Sequence, residues 1–105
     1  MSQQSRREML EEMLVSDPTD TFLRYGLAME LAREGNPRQA VQRLHSLIAD
    51  EPSYVPAYFQ AAQMLLKEGE NCSAADLLRR GIAAAQAKSD LHAAGEMAGL
   101  LEQIG

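Results

Sequence analysis

The chain repeats itself at an interval of 34 residues, and that period limits its fold more than any other feature. Setting residues 19–52 against 53–86 gives eight identities: Ala28/Ala62, Leu31/Leu65, Glu34/Glu68, Gly35/Gly69, Ala40/Ala74, Leu44/Leu78, Ile48/Ile82 and Ala49/Ala83. Ordinary residue frequencies would give about two. Tyr25/Phe59, Leu27/Ala61 and Arg33/Lys67 add conservative pairs. The offset also runs backwards: Pro18 precedes Pro52, Leu10 precedes Leu44, and Leu14 precedes Ile48. The first residues therefore read as the second half of an earlier repeat.

Punctuation within the repeat is helical. Residues 20–34 hold no Pro and are rich in Leu, Ala and Met, which favours helix. Gly35 stops that helix, because Gly takes the left-handed conformation cheaply. Asn36-Pro37-Arg38-Gln39 then reads as an N-cap, a Pro in the first turn and a Gln that completes a capping box. The next helix runs to about Asp50, and Glu51-Pro52-Ser53 breaks it. Ser53 is expected to cap a helix over 54–68 that ends at Gly69. Asn71 or Ser73 is expected to cap another, reaching Ala87. Ser89 or Asp90 opens the last, reaching Ile104. With the N-terminal helix this makes six.

Composition narrows the function. Ten Lys and Arg against 15 Asp and Glu leave a net charge of -5 in 105 residues. Phosphate backbones reward a basic patch, so nucleic acid is not the expected partner. No apolar run approaches the ~20 residues that span a bilayer, so no membrane partner is expected either. The opening residues lead into a charged helix rather than the apolar stretch of a signal peptide. Cys72 is the only cysteine, which excludes an internal disulfide and fits a reducing cytoplasm.

The pattern resembles the tetratricopeptide repeat family. Leu27-Ala28, Leu31, Gly35, Ala40, Leu44, Leu47 and Pro52 carry the resemblance in one repeat. Tyr58, Ala61-Ala62, Leu65, Gly69, Ala74, Leu78 and Ile82 carry it in the next. Small residues stand where two helices must approach, and Leu stands where a gap must be filled. Arg24 departs from the large aromatic that the family prefers, Gln86 from its closing Pro, and Gly81 from a larger residue. The resemblance implies an all-α, right-handed helical solenoid. It would form one domain over 1–105, with a half repeat 3–18, repeats 19–52 and 53–88, and a capping helix 89–105.

The family's usual activity is to hold a protein segment on the concave side, along the first helix of each repeat. At 100° per residue, Leu23, Leu27, Ala28 and Leu31 form one apolar arc, sufficient for packing. Phe22, Tyr25, Met29 and Ala32 form a second, with Arg33 at its edge. The following repeat matches it with Pro56, Phe59, Gln63 and Leu66, edged by Lys67. A second apolar arc is surplus to packing and marks either a groove or a surface for another helix. Two readings stand. Phe22, Tyr25, Met29, Arg33, Phe59, Gln63, Leu66 and Lys67 line a partner groove, or the N-terminal helix covers Phe22 and Tyr25 while the C-terminal helix covers Leu66. Arg33 and Lys67 either receive an acidic partner or are solvated ends. Tyr25, Met29, Gln60 and Gln63 do not form the Lys–Asn clamp that some relatives use for terminal carboxylates.

Catalytic chemistry is sparse. His92 and Glu96 share an i,i+4 spacing that can hold a metal, but no third ligand accompanies them in sequence. His45 is expected on an exposed face, and Cys72 as a thiol at a helix start. Glu8, Glu11 and Glu12 read as a charged face, and Met9, Leu10, Met13 and Leu14 as the face docking onto the first full repeat. No glycine-rich phosphate loop occurs. The expectation is a non-catalytic cytoplasmic interaction module without cofactor or metal, whose partner is another protein or peptide segment. The alternative is a homodimer paired through the apolar last helix: Leu91, Ala94, Met97, Ala98, Leu100, Leu101 and Ile104.

Overall fold

The computed structural model describes residues 4–104. Six helices follow one another among them, with no strand: α1 (Arg6–Ser16), α2 (Thr21–Arg33), α3 (Pro37–Asp50), α4 (Val55–Lys67), α5 (Asn71–Ala87) and α6 (Leu91–Ile104). They divide into two compact units, Met1–Leu47 and Ile48–Gly105, with α3 running from the first into the second. The outer ends expected at residues 3 and 105 lie outside the described residues.

Three of the turns are built alike. Gly35 (φ 90°) ends α2, and the next N–H, that of Asn36, donates back to the Leu31 carbonyl at 2.9 Å. Gly69 (φ 78°) ends α4 the same way, with Glu70 N–H on Leu65 O at 2.9 Å. After α5 the left-handed residue is Ser89 (φ 60°), with Asp90 N–H on Ala85 O at 2.8 Å. These six-to-one bonds satisfy carbonyls that a helix end would leave unpaired. Ser89 thus belongs to the turn, and Asp90 alone caps α6, accepting from Ala93 N–H at 3.2 Å.

Helix starts divide into capped and uncapped. Ser5 and Glu8 form a reciprocal capping box on α1, with bonds of 3.1 and 3.2 Å. Asp20 caps α2 through Leu23 N–H at 2.8 Å. The caps expected from Ser53 and from Asn71 or Ser73 do not form. Tyr54 and Glu70 occupy those cap positions, without a side-chain bond. The reason lies in the turns: the left-handed residue Gly69 leaves one residue before α5 begins, so Asn71 is already helical, and Ser53 falls one residue too early. At the far end, Gln86 in place of Pro lets α5 run to Ala87, and Lys88 Nζ donates to Ser53 O at 3.1 Å.

In the N-terminal unit, Leu10, Leu27, Ala28, Leu31, Ala40, Leu44 and Leu47 are buried. Each leucine contributes about 1.5–3 kcal/mol by leaving water. Leu23, expected in the same arc, is only half-buried. The docking face expected of α1 is also narrower than its sequence suggests. Leu10 is buried and Leu14 half-buried, but Met9 and Met13 remain 49% and 52% exposed. The apolar residues of α1 span a wider arc than α2 can cover. Arg7 joins the two helices, its Nε 2.9 Å from Glu34 and its NH1 3.0 Å from Glu11.

In the C-terminal unit the core holds Val55, Ala57, Tyr58, Ala61, Ala62, Met64, Ala74, Ala75, Leu77, Leu78, Ala85, Ala94 and Met97. Leu65, a repeat position expected to fill a gap, is half-buried. Gly81 accounts for its own departure from the repeat. A Cβ there would lie 2.6 Å from Met97 Sδ and 2.7 Å from Tyr58 Cβ. Tyr58 is locked in place by its hydroxyl, which donates to Pro52 O at 2.6 Å, and Arg80 lies over its ring at 5.8 Å. No helix among the described residues is long and apolar enough to cross a membrane.

Candidate functional site

In the N-terminal unit, α2 carries Phe22, Tyr25, Met29 and Arg33. Its packing arc is satisfied by Leu27, Ala28 and Leu31. On the second arc, Tyr25 and Met29 are half-buried and Phe22 is 73% exposed. The N-terminal helix therefore does not cover Phe22, because α1 reaches α2 through Leu10 near Gly26 and through arginine side chains. A phenylalanine left largely in water forgoes most of the about 1.5–3 kcal/mol that burial would contribute.

Arg33 is less available than its sequence position implies. Its guanidinium hydrogen-bonds Glu30 through both Nε, at 2.9 Å, and a terminal nitrogen. Glu30 is only 5% exposed, and Arg6 Nε approaches it at 3.4 Å. The hydrogen bond from Arg33, more than any other cause, holds the Glu30 carboxyl below the usual carboxylate range. Arg33 is in turn held above its ordinary value by Glu30. The buried carboxylate went unread in the sequence, although Glu30-x-x-Arg33 has the i,i+3 spacing of a helical pair.

In the C-terminal unit, α4 carries Phe59, Gln63, Leu66 and Lys67. Its packing arc, Tyr58, Ala61 and Ala62, is buried, whereas Phe59, Gln60, Gln63 and Leu66 are half-buried. Lys67 is exposed in the last turn, where a cation complements the helix carbonyls. Each of the two helices thus carries an aromatic residue, a flexible or polar mid-helix residue and a terminal cation on the arc adjoining its packing arc. That arrangement can grip apolar side chains but supplies no nucleophile–base pair.

The histidines and the cysteine stand on exposed surfaces. His92 Nε2 sits 3.0 Å from Glu96 on an exposed face of α6, and His45 and Cys72 are exposed. Among the described residues no three His, Cys, Asp or Glu side chains gather as a metal site.

The tetratricopeptide repeat family model matches residues 31–100. A tetratricopeptide repeat domain protein from Salinibacter ruber is similar in structure at TM-score 0.79, with 24% identity over 83% of this chain and 88% of that one. A solution structure from Bordetella parapertussis is similar at TM-score 0.83, with 25% identity over 97% of this chain and 89% of that one. PcrH, solved in complex with the chaperone-binding region of PopD, has the same fold at TM-score 0.85, with 20% identity over 93% of this chain and 74% of that one. No curated protein matches the sequence.

Proposed function

Because the chain belongs to the tetratricopeptide repeat family, we propose that it is a non-catalytic protein-interaction module whose concave face, lined by α2 and α4, takes a segment of another protein. Phe22 carries this reading. It is 73% exposed on a helix whose Leu27, Ala28 and Leu31 are already buried, so most of its apolar surface is left in water. Phe59 and Leu66 repeat the same chemistry on α4, and Arg33 and Lys67 stand in the last turns of their own helices. PcrH, which has this fold, was solved with a segment of PopD, which supports a peptide as the class of ligand. The module is read as one domain, with a half repeat before residue 19, repeats over 19–52 and 53–88, and a capping helix over 89–105. An exposed, unpaired thiol at Cys72 supports a cytoplasmic location.

The test is recovery of partner from source extract by the native chain and by a Phe22→Ala, Phe59→Ala double variant. Loss of a specific partner by the variant, with thermal unfolding unchanged, supports the groove. Equal recovery rejects it. Self-association through α6 is the second reading, favoured by Leu91, 73% exposed at the start of that helix. Ala94 and Met97 are already packed internally, which leaves Leu91, Ala98, Leu100, Leu101 and Ile104 for it. A dimer in light scattering that Leu100→Glu and Leu101→Glu dissolve favours this second reading; a monomer at all concentrations rejects it.

A further inference from the structure

Glu30 is the one charged side chain buried among the described residues, and it stands beside the second arc of α2. Its Oε1 accepts from Arg33 through Nε, at 2.9 Å, and through Nη2. Its Oε2 lies 3.4 Å from Arg6 Nε. The carboxylate thus takes the side edge of the Arg33 guanidinium, made of Nε and Nη2. The end edge, made of Nη1 and Nη2, is left over. Nη1 takes no bond among the described residues, and the Arg33 side chain is 73% exposed. Two arginines meet Glu30, so this one carboxylate does not cancel both. Glu34, the next acid on the chain, is held by Arg7 at 2.9 Å, and Arg7 also meets Glu11. At 100° per residue, Phe22, Met29 and Arg33 share a sector of about 40°, with Glu30 about 60° to its side.

We propose, on the reading of α2 as a docking surface, that Glu30 is a positioning residue which fixes the Arg33 guanidinium so that its end edge receives the side-chain carboxylate of an Asp or Glu in the bound segment. A mobile arginine loses rotamer freedom when it grips a ligand, and Glu30 has already taken up that loss in the folded chain. Two parallel N–H···O bonds match a carboxylate; an amide offers only one acceptor oxygen. Glu30 and Glu34 both act on Arg33, so a singly charged carboxylate suits the place better than a doubly charged phosphate. Helix geometry sets the spacing of the ligand. Arg33 stands about 6 Å along the axis from Met29 and about 16–17 Å from Phe22. An extended segment advances about 3.3 Å per residue and points alternate side chains the same way. The acid therefore stands two residues from an apolar residue seated on Met29, and a further apolar residue four to six positions from the acid reaches Phe22.

The probes are two acetylated peptide amides, Phe-Ser-Ser-Ser-Leu-Ser-Glu-Ser and its reversed order, each with a counterpart in which Gln replaces Glu. NMR of the full chain follows the Arg33 Nε–H and the Met29 methyl during titration to millimolar peptide. One of the two orders is expected to shift both signals saturably and to bind about fivefold tighter than its Gln counterpart. Arg33→Lys keeps the charge but loses the fork, and should bring the Glu and Gln peptides to equal affinity; Arg33 is exposed, so this variant should keep the native circular dichroism. Glu30→Gln leaves Arg33 in place. It should speed exchange of the Arg33 Nε–H and reduce the preference for Glu to about twofold or less, with affinity for the Gln peptide unchanged. Tighter binding of the Glu peptide by Glu30→Gln overturns the proposal, because Glu30 would then compete for Arg33 rather than position it. An undiminished preference for Glu in Arg33→Lys overturns it as well. Equal binding of Glu and Gln peptides by the native chain, with both weakened by Phe22→Ala, overturns it while leaving the docking surface standing. Absence of binding by every peptide also overturns it, and partner recovery from extract then decides the docking surface separately.

Discussion

At the scale of single residues, two backbone positions carry more weight than their side chains do. Ser89 holds φ 60°, the conformation that Gly35 and Gly69 supply in the equivalent turns. A side chain there costs about 1–2 kcal/mol relative to the right-handed region, partly offset because Gly frees the unfolded chain. Ser89→Gly is therefore expected to raise stability by about 0.5–1 kcal/mol, read as a higher urea midpoint. Gly81 behaves in the opposite sense. Replacement by Ala improves helix propensity by about 1 kcal/mol. The new methyl, however, meets Tyr58 Cβ at 2.7 Å, an atom fixed to the α4 backbone. Overpacking of that kind costs about 1–3 kcal/mol, so Gly81→Ala lowers the midpoint. Adding Met97→Ala does not recover it, because the tyrosine contact remains.

At the scale of elements, carboxylates as well as leucines link α1 to α2: Arg6 meets Glu30 and Arg7 meets Glu34. Glu30 and Glu8 both titrate below the ordinary value of 4.5, Glu30 mainly through the Arg33 bond and Glu8 mainly through the Ser5 backbone N–H. A carboxyl depressed in the folded state releases its proton more readily there than when unfolded. Its stabilisation is thus complete above pH 4.5 and is lost as pH falls through the lower folded value. Acidification should destabilise the protein in that window. Glu30→Gln removes one such group, so the difference in urea midpoint between about pH 7 and about pH 3 should shrink. An unchanged difference would assign the acid sensitivity to other carboxylates. The two uncapped helices, α4 and α5, begin instead where tight turns deliver them, so their start points depend on the preceding helix's end.

At the scale of the whole molecule, apolar residues divide between those that hold the fold and those that do not. Leu44 is fully buried and Phe22 largely exposed, although both are large apolar residues on helices. Leu44→Ala is expected to cost about 2–5 kcal/mol in thermal or urea unfolding. Phe22→Ser should leave stability within about 0.5 kcal/mol, which is typical of surface sites. A large loss at Phe22 would show that the residue serves packing and would remove the basis of the proposed groove.

The 34-residue interval, the helix-stopping glycines and the alanine and leucine positions determined the six helices and the family. Period and punctuation are local properties that the chain carries at every step. What surrounds each face was not local. Sequence alone left Phe22 balanced between cover and groove, and it assigned Met9 and Met13 to a packed face that α2 is too narrow to cover. It did not register that Arg33 is drawn to a buried Glu30, nor that Gly81 makes room for Tyr58 and Met97. Those outcomes depend on which helix lies opposite which side chain, and at what distance. Residues far apart in the chain decide that only when packing brings them together.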